Sequence, residues 1–156
     1  VYKRQRYSYA NWFSLGGTFN SMDAIDREKR LAEGTGQASL TYGQRIPNQP
    51  YRYANFDASF YWHDLFGKGN MLSLTYDSYY QHEFPLYWED FGDPDTKARV
   101  PEQFSHNLTL NYSVAKGRYN FSLECRNLTD EKLYDNYSLQ KAGRAFYGKV
   151  RVYFGK

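Results

Sequence analysis

The three histidines are the side chains best suited to chemistry in this chain of 156 residues, because imidazole binds metal ions and exchanges protons near neutral pH. His82 and His106 fall on the same parity of an alternating pattern, near the two ends of a long polar segment. With Glu83 nearby they would form a metal or haem site. The alternative, which we favour, is that they are aromatic side chains at a boundary between water and apolar matter. We therefore expect no metal ion and no cofactor.

Other reactive residue types form no catalytic pattern. Serines occupy alternate positions of polar rows, and no nucleophile motif surrounds them. The single cysteine, Cys125, excludes an internal disulfide and a cysteine-based metal site, and it lies in an apolar row. We therefore expect no enzyme activity and no catalytic residues.

The segment 85–103 combines aromatic and acidic side chains, and it is the candidate for ligand contact. The residues concerned are Tyr87, Trp88, Glu89 and Asp90, followed by Phe91, Asp93 and Asp95. Such a loop clamps sugar rings or a cationic ligand. The alternative, which we favour, is a surface loop whose polarity reflects contact with solvent alone.

Composition argues against two classes of protein. Hydrophobic residues make up 41% of the chain and charged residues 24%, a balance that argues against intrinsic disorder. The formal net charge is +3, with Lys and Arg scattered among acids, whereas nucleic-acid binding requires a basic stripe. We expect no nucleic-acid partner. Aromatic residues reach 20%, which favours strands and boundaries between water and apolar matter.

Six stretches alternate between apolar and polar residues with a period of two, which predicts β-strands. They cover residues 11–21, 53–63, 71–84, 104–114, 119–127 and 145–154. Short glycine-containing turns alternate with long polar connections. The short turns are 65–69 and 115–118, and the long connections are about 23–50, 85–103 and 130–143. We therefore predict an all-β fold, an antiparallel up-and-down meander of about six strands.

Two features favour a membrane barrel over a soluble barrel or sandwich, whose apolar face would turn inward. The apolar rows end in aromatic residues, which gather where lipid headgroups meet acyl chains. These are Trp62, Tyr76, Tyr80, Phe84, Phe104, Tyr112, Tyr119 and Phe154. The polar rows carry charge in mid-strand, which suits a wet lumen. A one-residue slip of the last strand would put Lys149 and Arg151 into lipid, at roughly 2–4 kcal/mol each near mid-depth.

The strand count and the first residues both predict a fragment. About six strands are too few to close a membrane barrel, since the smallest have about eight, and an open sheet edge cannot exist in hydrocarbon. The opening "VYKRQ" matches the translation of a transposon adapter used in sequencing libraries. We therefore interpret residues 1–5 as non-natural and expect a metagenomic gene truncated at its 5′ end.

The stretch "NLTDEKLYDNY", followed by "QKAGRAFYGKVRVYF", resembles the C-terminal end of TonB-dependent outer-membrane receptors. That family shows an Asn-Leu-Phe-Asp-Lys-x-Tyr motif, then Gly-Arg and an amphipathic last strand that ends on an aromatic residue. The matching positions are Asn127, Leu128, Asp130, Lys132, Tyr134, Gly143, Arg144, Phe146 and Phe154. The resemblance assigns residues 6–156 to the C-terminal part of the receptor barrel.

The resemblance implies an open fragment of a 22-stranded transmembrane β-barrel that is filled by a plug domain. It implies the outer membrane of a Gram-negative bacterium and the energised import of a scarce ligand, such as a siderophore, haem, cobalamin or an oligosaccharide. The implied partners are outer-membrane lipid, TonB and the plug domain through the N-terminal part, and the barrel-assembly machinery at the last strand. A surface lipoprotein is an optional further partner. The alternative is a soluble β-barrel or β-sandwich ligand-binding module, whose apolar rows would pack on each other.

Overall fold

The computed structural model describes residues 1–29, 36–89 and 98–154, and all regular structure in these ranges is β-strand. There are nine strands among these residues. They are β1 (Tyr2–Tyr9), β2 (Phe13–Ser21), β3 (Arg52–His63), β4 (Met71–Gln81), β5 (Phe84–Pro85), β6 (Arg99–Val100), β7 (Gln103–Val114), β8 (Tyr119–Arg126) and β9 (Ala145–Val152). Within the described part of the chain, no helix is both long and apolar enough to cross a membrane.

Seven strands form one antiparallel sheet in the order β1-β2-β3-β4-β7-β8-β9, and β5 pairs with β6 in a separate two-stranded sheet. The prediction of an all-β, antiparallel up-and-down meander is confirmed. The predicted number of about six strands omitted β1, whose residues show no alternation of apolar and polar types. All eight residues of β1 are exposed, so backbone pairing with β2 holds this strand rather than burial of side chains.

The connections alternate in length, as predicted. Three short connections lie at one end of the sheet, here called the short-turn end, and three long ones lie at the other, the long-loop end. The short connections are 10–12, 64–70 and 115–118, and the long ones are 22–51, 82–102 and 127–144. In the turn 115–118, Ala115, Lys116 and Gly117 all have positive φ, with the largest value, 89°, at the glycine.

The register places every apolar row on the same side of the sheet. Along one line across four strands, Phe60 pairs with Leu74, Leu74 with Leu110, and Leu110 with Leu123. We call this side the apolar face. Its large side chains include Phe13, Leu15, Phe19, Phe56, Phe60, Trp62, Leu72, Leu74, Tyr76, Tyr80, Phe104, Leu108, Leu110, Tyr112, Phe121, Leu123, Phe146, Val150 and Val152.

The opposite side of the sheet, the polar face, carries hydroxyl, amide and charged side chains. One line across it joins Ser14, Ser59, Thr75, Thr109, Glu124 and Tyr147 through successive cross-strand pairs. The next line carries Gly16, Asp57, Asp77 and Asn107. Since side chains alternate sides along a strand, the period-two pattern of the sequence becomes two chemically distinct surfaces.

Burial in this sheet is the reverse of that in a soluble domain. On the apolar face, Val150 is 66% exposed and Leu123 is 64% exposed. On the polar face, Ser59 and Ser73 are each only 6% exposed. Among the described residues, the fully buried large apolar side chains are Phe84 and Val100, which pair in the small β5–β6 hairpin. The sheet therefore has no apolar core built from the described residues.

Candidate functional site

A charged line crosses the polar face near mid-sheet. Arg6 pairs with Asp57 across β2 at 3.3 Å, and Gly16 lies between these two residues in the sheet. Asp77 accepts a hydrogen bond from the amide nitrogen of Asn107 at 2.8 Å. These pairs place charged and hydrogen-bonding groups among the small polar residues of this face.

The absence of a side chain at Gly16 makes room for the carboxylate of Asp57. A Cβ atom built on Gly16 would lie 2.9 Å from the carboxyl carbon of Asp57, which is closer than Cβ atoms approach such groups. Gly17 points to the apolar face, and a Cβ atom there would meet Asn55 O at an ordinary 3.7 Å. The lack of a side chain at Gly16 therefore allows the Asp57 carboxylate to take its place in the charged line.

Five residues of the predicted family motif lie in the 127–144 connection and make hydrogen bonds or ion pairs with one another or with the sheet. Asn127 is 3% exposed and has a φ of 51°, a conformation that asparagine tolerates. Its side chain accepts from the backbone N–H of Glu131 at 3.0 Å and donates to the Glu131 carbonyl at 2.8 Å. Its own backbone N–H donates to Asn107 Oδ1 at 2.9 Å. The side-chain amide of Asn127 thus closes a tight loop, and its backbone N–H ties that loop to β7.

The predicted Gly-Arg pair meets Asp130. The backbone N–H of Arg144 donates to Asp130 Oδ1 at 2.7 Å, and its guanidinium lies 3.8 Å from Asp130 Oδ2. A Cβ atom at Gly143 would lie 2.8 Å from Asp130 Oδ1, so the glycine leaves space for this carboxylate. Of the acids near Arg144 in the chain, Asp130 is therefore the one that pairs with it.

The remaining motif residues lie apart from that cluster. Tyr134 donates its backbone N–H to Gln103 Oε1 at 2.6 Å, and Leu128 donates its own to the His106 carbonyl at 2.8 Å, so both contact β7. Lys132 and Phe154 are exposed and have no hydrogen-bonding or ionic side-chain partner among the described residues.

The structure gives each histidine a different partner. His63 lies 2.9 Å from the Asn11 carbonyl, His82 lies 3.2 Å from Glu102 Oε2, and His106 lies 2.6 Å from the Tyr76 hydroxyl. Within 1–29, 36–89 and 98–154, no three His, Cys, Asp or Glu side chains are grouped in a way that could hold a metal ion. The histidines are thus part of aromatic and hydrogen-bonded contacts at the sheet surface and its ends.

A network of aromatic and charged side chains covers the long-loop end around His82. The guanidinium of Arg45 lies 4.0 Å above the ring of Tyr51, and the rings of Tyr51 and His82 are nearly perpendicular with centroids 5.4 Å apart. Glu102 accepts from Tyr80 at 2.9 Å, and the hydrogen bonds from Tyr80 and His82 lower the pKa of Glu102 from its ordinary value. These contacts join the 22–51 and 82–102 connections.

The predicted ligand-contacting loop is described in part. Tyr87 is 69% exposed, Trp88 is half-buried, and Glu89 pairs with Arg99 at 3.1 Å. Asp90, Phe91, Asp93 and Asp95 lie outside the described residues. Arg99 also lies 3.5 Å from Glu83, so it pairs with two acids of the 82–102 connection.

Two structural roles were not predicted from the sequence. Phe84 was interpreted as the aromatic end of a strand, but β4 ends at Gln81 and Phe84 pairs with Val100 in the buried hairpin. Asn107 looks like any other polar residue of an alternating row, although it joins Asp77 to Asn127.

Comparisons of the chain with protein-family models, with curated proteins and with solved structures gave no match.

Proposed function

We propose that this chain is part of the β-barrel of a TonB-dependent receptor, in the outer membrane of a Gram-negative bacterium. The observation that carries the proposal is the reversed burial of the sheet, whose apolar face is exposed while serines of its polar face are buried. Water-soluble monomers rarely expose a contiguous apolar surface of more than a few hundred Å². A membrane barrel has this arrangement, since lipid covers its outer side and water fills its lumen.

The dimensions of the sheet support a membrane-spanning position. Strands β3, β4 and β7 have 12, 11 and 12 residues. A tilted strand of ~9–11 residues crosses the hydrocarbon layer. Short turns at one end and long loops at the other are the asymmetry of bacterial outer-membrane barrels.

The two outer strands of the sheet favour a larger barrel. Among the described residues, β1 and β9 each pair on one side only. Unpaired backbone groups are costly in hydrocarbon, which favours pairing with further strands in the membrane, as in the 22-stranded barrels that enclose a plug. The C-terminal motif supports the same family, because Asn127, Asp130 and Arg144 give the last long loop a defined shape.

In this proposal the protein imports a scarce ligand without making or breaking covalent bonds. The ligand classes are siderophores, haem, cobalamin and oligosaccharides. TonB and the plug domain act through the N-terminal part of the receptor, the assembly machinery acts at β9, and a surface lipoprotein is an optional partner. The charged line of Arg6, Asp57 and Asp77 would face the lumen.

The requirement for an apolar environment tests the proposal directly. We expect the chain to be monomeric in non-ionic detergent micelles and to aggregate when the detergent is removed, as measured by sedimentation velocity. A monodisperse monomer in buffer without detergent would contradict the proposal and favour a soluble ligand-binding module.

A matched pair of substitutions on adjacent residues of β7 separates the two faces. Leu110→Arg places a cation on the apolar face and should lower the free energy of unfolding in micelles by about 2–4 kcal/mol. Thr109→Arg adds the same side chain to the polar face and should cost less than about 1 kcal/mol. Equal losses would show that the faces do not differ in environment.

The family itself is tested by sequencing the upstream DNA, where we expect an open reading frame that encodes further strands and a plug domain.

A further inference from the structure

One corner of the polar face, near the short-turn end, carries positive charge without a matching acid. Lys149 and Arg151 lie on β9 and point to this face, two residues apart, so their Cα atoms are about 7 Å from each other. No carboxylate of the described residues lies within 4.0 Å of either side chain. On strands β2 to β8, by contrast, Asp57, Asp77 and Glu124 of this face each have a partner.

Neutral hydrogen-bond donors lie beside the two cations. Ser122 pairs with Lys149 across β8 and β9, Asn111 pairs with Ser122, and Ser73 pairs with Asn111. Within the described residues, the side chains of Asn111 and Ser122 make no hydrogen bond, so their donors are available, while Ser73 is 6% exposed and borders the same space. These residues and the two cations line a depression of about 350 Å³.

The nearby turns add to the positive potential of this corner. The short connections contain Lys68, Lys116 and Arg118, with Asp64 as their one acidic residue. The carboxylate of Asp64 accepts a hydrogen bond from the backbone of Gly69 at 2.6 Å and is held in its own turn. Clustered charges of one sign raise the local concentration of counter-ions.

We propose that the depression formed by Lys149, Arg151, Asn111, Ser122 and Ser73 binds the oxyanion group, phosphate or carboxylate, of a small soluble solute. The guanidinium of Arg151 presents paired donors that match an oxyanion, and the ammonium of Lys149 adds a point charge. The hydroxyl and amide groups of Ser122 and Asn111 accommodate the remaining oxygens. The inference goes beyond import, since it requires only that the polar face meets water.

Titration calorimetry on the whole chain in micelles tests the site, with inorganic phosphate and citrate as separate probes. We expect saturable binding of at least one probe, and the comparison of the two shows whether phosphate or carboxylate is preferred. The double variant K149Q/R151Q should weaken binding by about tenfold or more, since hydrogen bonds from charged donors are about twice as strong as those from neutral donors.

Two further variants make the test specific. R27Q/K141Q also removes one arginine and one lysine, from the long connections, and should change the affinity less than about twofold because screening limits distant charges. K149R/R151K keeps both charges and should retain binding, which separates loss of charge from loss of fold. Absence of saturable binding to the wild-type chain, or equal weakening in K149Q/R151Q and R27Q/K141Q, would overturn the proposal.

Discussion

Asn127 shows how a single amide gives the last long loop its shape. Both polar atoms of the side chain bond to the backbone of Glu131, while its own N–H is bonded to Asn107 on β7. A buried amide of this kind contributes mainly because its removal would leave backbone groups without partners.

We predict that Asn127→Ala lowers the free energy of unfolding by about 1–3 kcal/mol, because the Glu131 N–H and carbonyl lose their partners. Exposed Lys132 belongs to the same motif but makes no such contact, so Lys132→Ala should cost less than about 0.5 kcal/mol. Urea unfolding in micelles measures both values. Similar losses for the two variants would mean that the Asn127 contacts add nothing to stability.

Glu102 gives the long-loop end a pH dependence. Its pKa is lowered from the ordinary value of 4.5 by hydrogen bonds from Tyr80 and His82. The folded state therefore favours the ionised carboxylate, and this stabilisation is fully present above pH 4.5 and is lost as the pH falls through the lowered folded pKa. We predict that protection of the His82 backbone N–H, which bonds to the Arg52 carbonyl at 3.0 Å, decreases over that range.

Glu102→Gln should remove this pH-dependent part of the protection, because glutamine does not ionise. Hydrogen exchange of the His82 amide, corrected for intrinsic rates, checks the prediction. If wild type and Glu102→Gln show the same profile, the Glu102 contacts do not anchor the connection.

At the scale of single residues, the order of the chain limits the acids that can pair with Arg144, but it gives no sign of the bonds of Asn107. Asp130 and Arg144 are opposite charges near each other in the chain, which limits the choice of partner. Asn107 and Asn127 are 20 residues apart, and their contact depends on a strand register that no local pattern specifies. The charged residues of the polar rows were predicted as a set, without their pairings.

At the scale of strands, Gly16 and Gly17 provide a comparison between the two faces of β2. We predict that Gly16→Ala costs up to about 1 kcal/mol, because the new Cβ displaces the Asp57 carboxylate from Arg6 and a largely exposed ion pair contributes about 0–1 kcal/mol. Gly17→Ala should be neutral or slightly stabilising, since glycine is unfavourable inside a strand and no close contact results. Thermal unfolding in micelles gives both values.

A further variant identifies the cause. In Gly16→Ala/Asp57→Ala the displaced carboxylate is absent, so the double variant should recover part of the loss from Gly16→Ala. Strictly additive losses would indicate that Gly16 and Asp57 are not coupled.

The strands predicted from alternation are those whose two faces meet different surroundings. Strands β2, β3, β4, β7, β8 and β9 lie within or at the ends of the six predicted stretches. Strand β1 lacks the pattern because Lys3 and Gln5 lie on the apolar side. The β5–β6 hairpin has two residues per strand, too few for a period to be recognised, and it forms because Phe84 and Val100 bury each other.

At the scale of the whole molecule, the sheet has one polar face and one apolar face. This follows from the register of β2, β3, β4, β7, β8 and β9, in which the apolar rows of neighbouring strands pair with each other. The sequence predicted the alternation and the unequal connections, because both are local features. Barrel closure depends on pairings beyond β1 and β9 and stays a prediction.

The most direct test of the central claim is a cysteine scan of residues 107–112 on β7, in a Cys125→Ala background, with an attached fluorophore in micelles that contain brominated lipid. We predict that bromine quenches probes at positions 108, 110 and 112, whereas aqueous iodide quenches those at 107, 109 and 111. A period-two alternation in this sense means that acyl chains cover the apolar face. Quenching without alternation, or with the two sets of positions exchanged, would contradict the account.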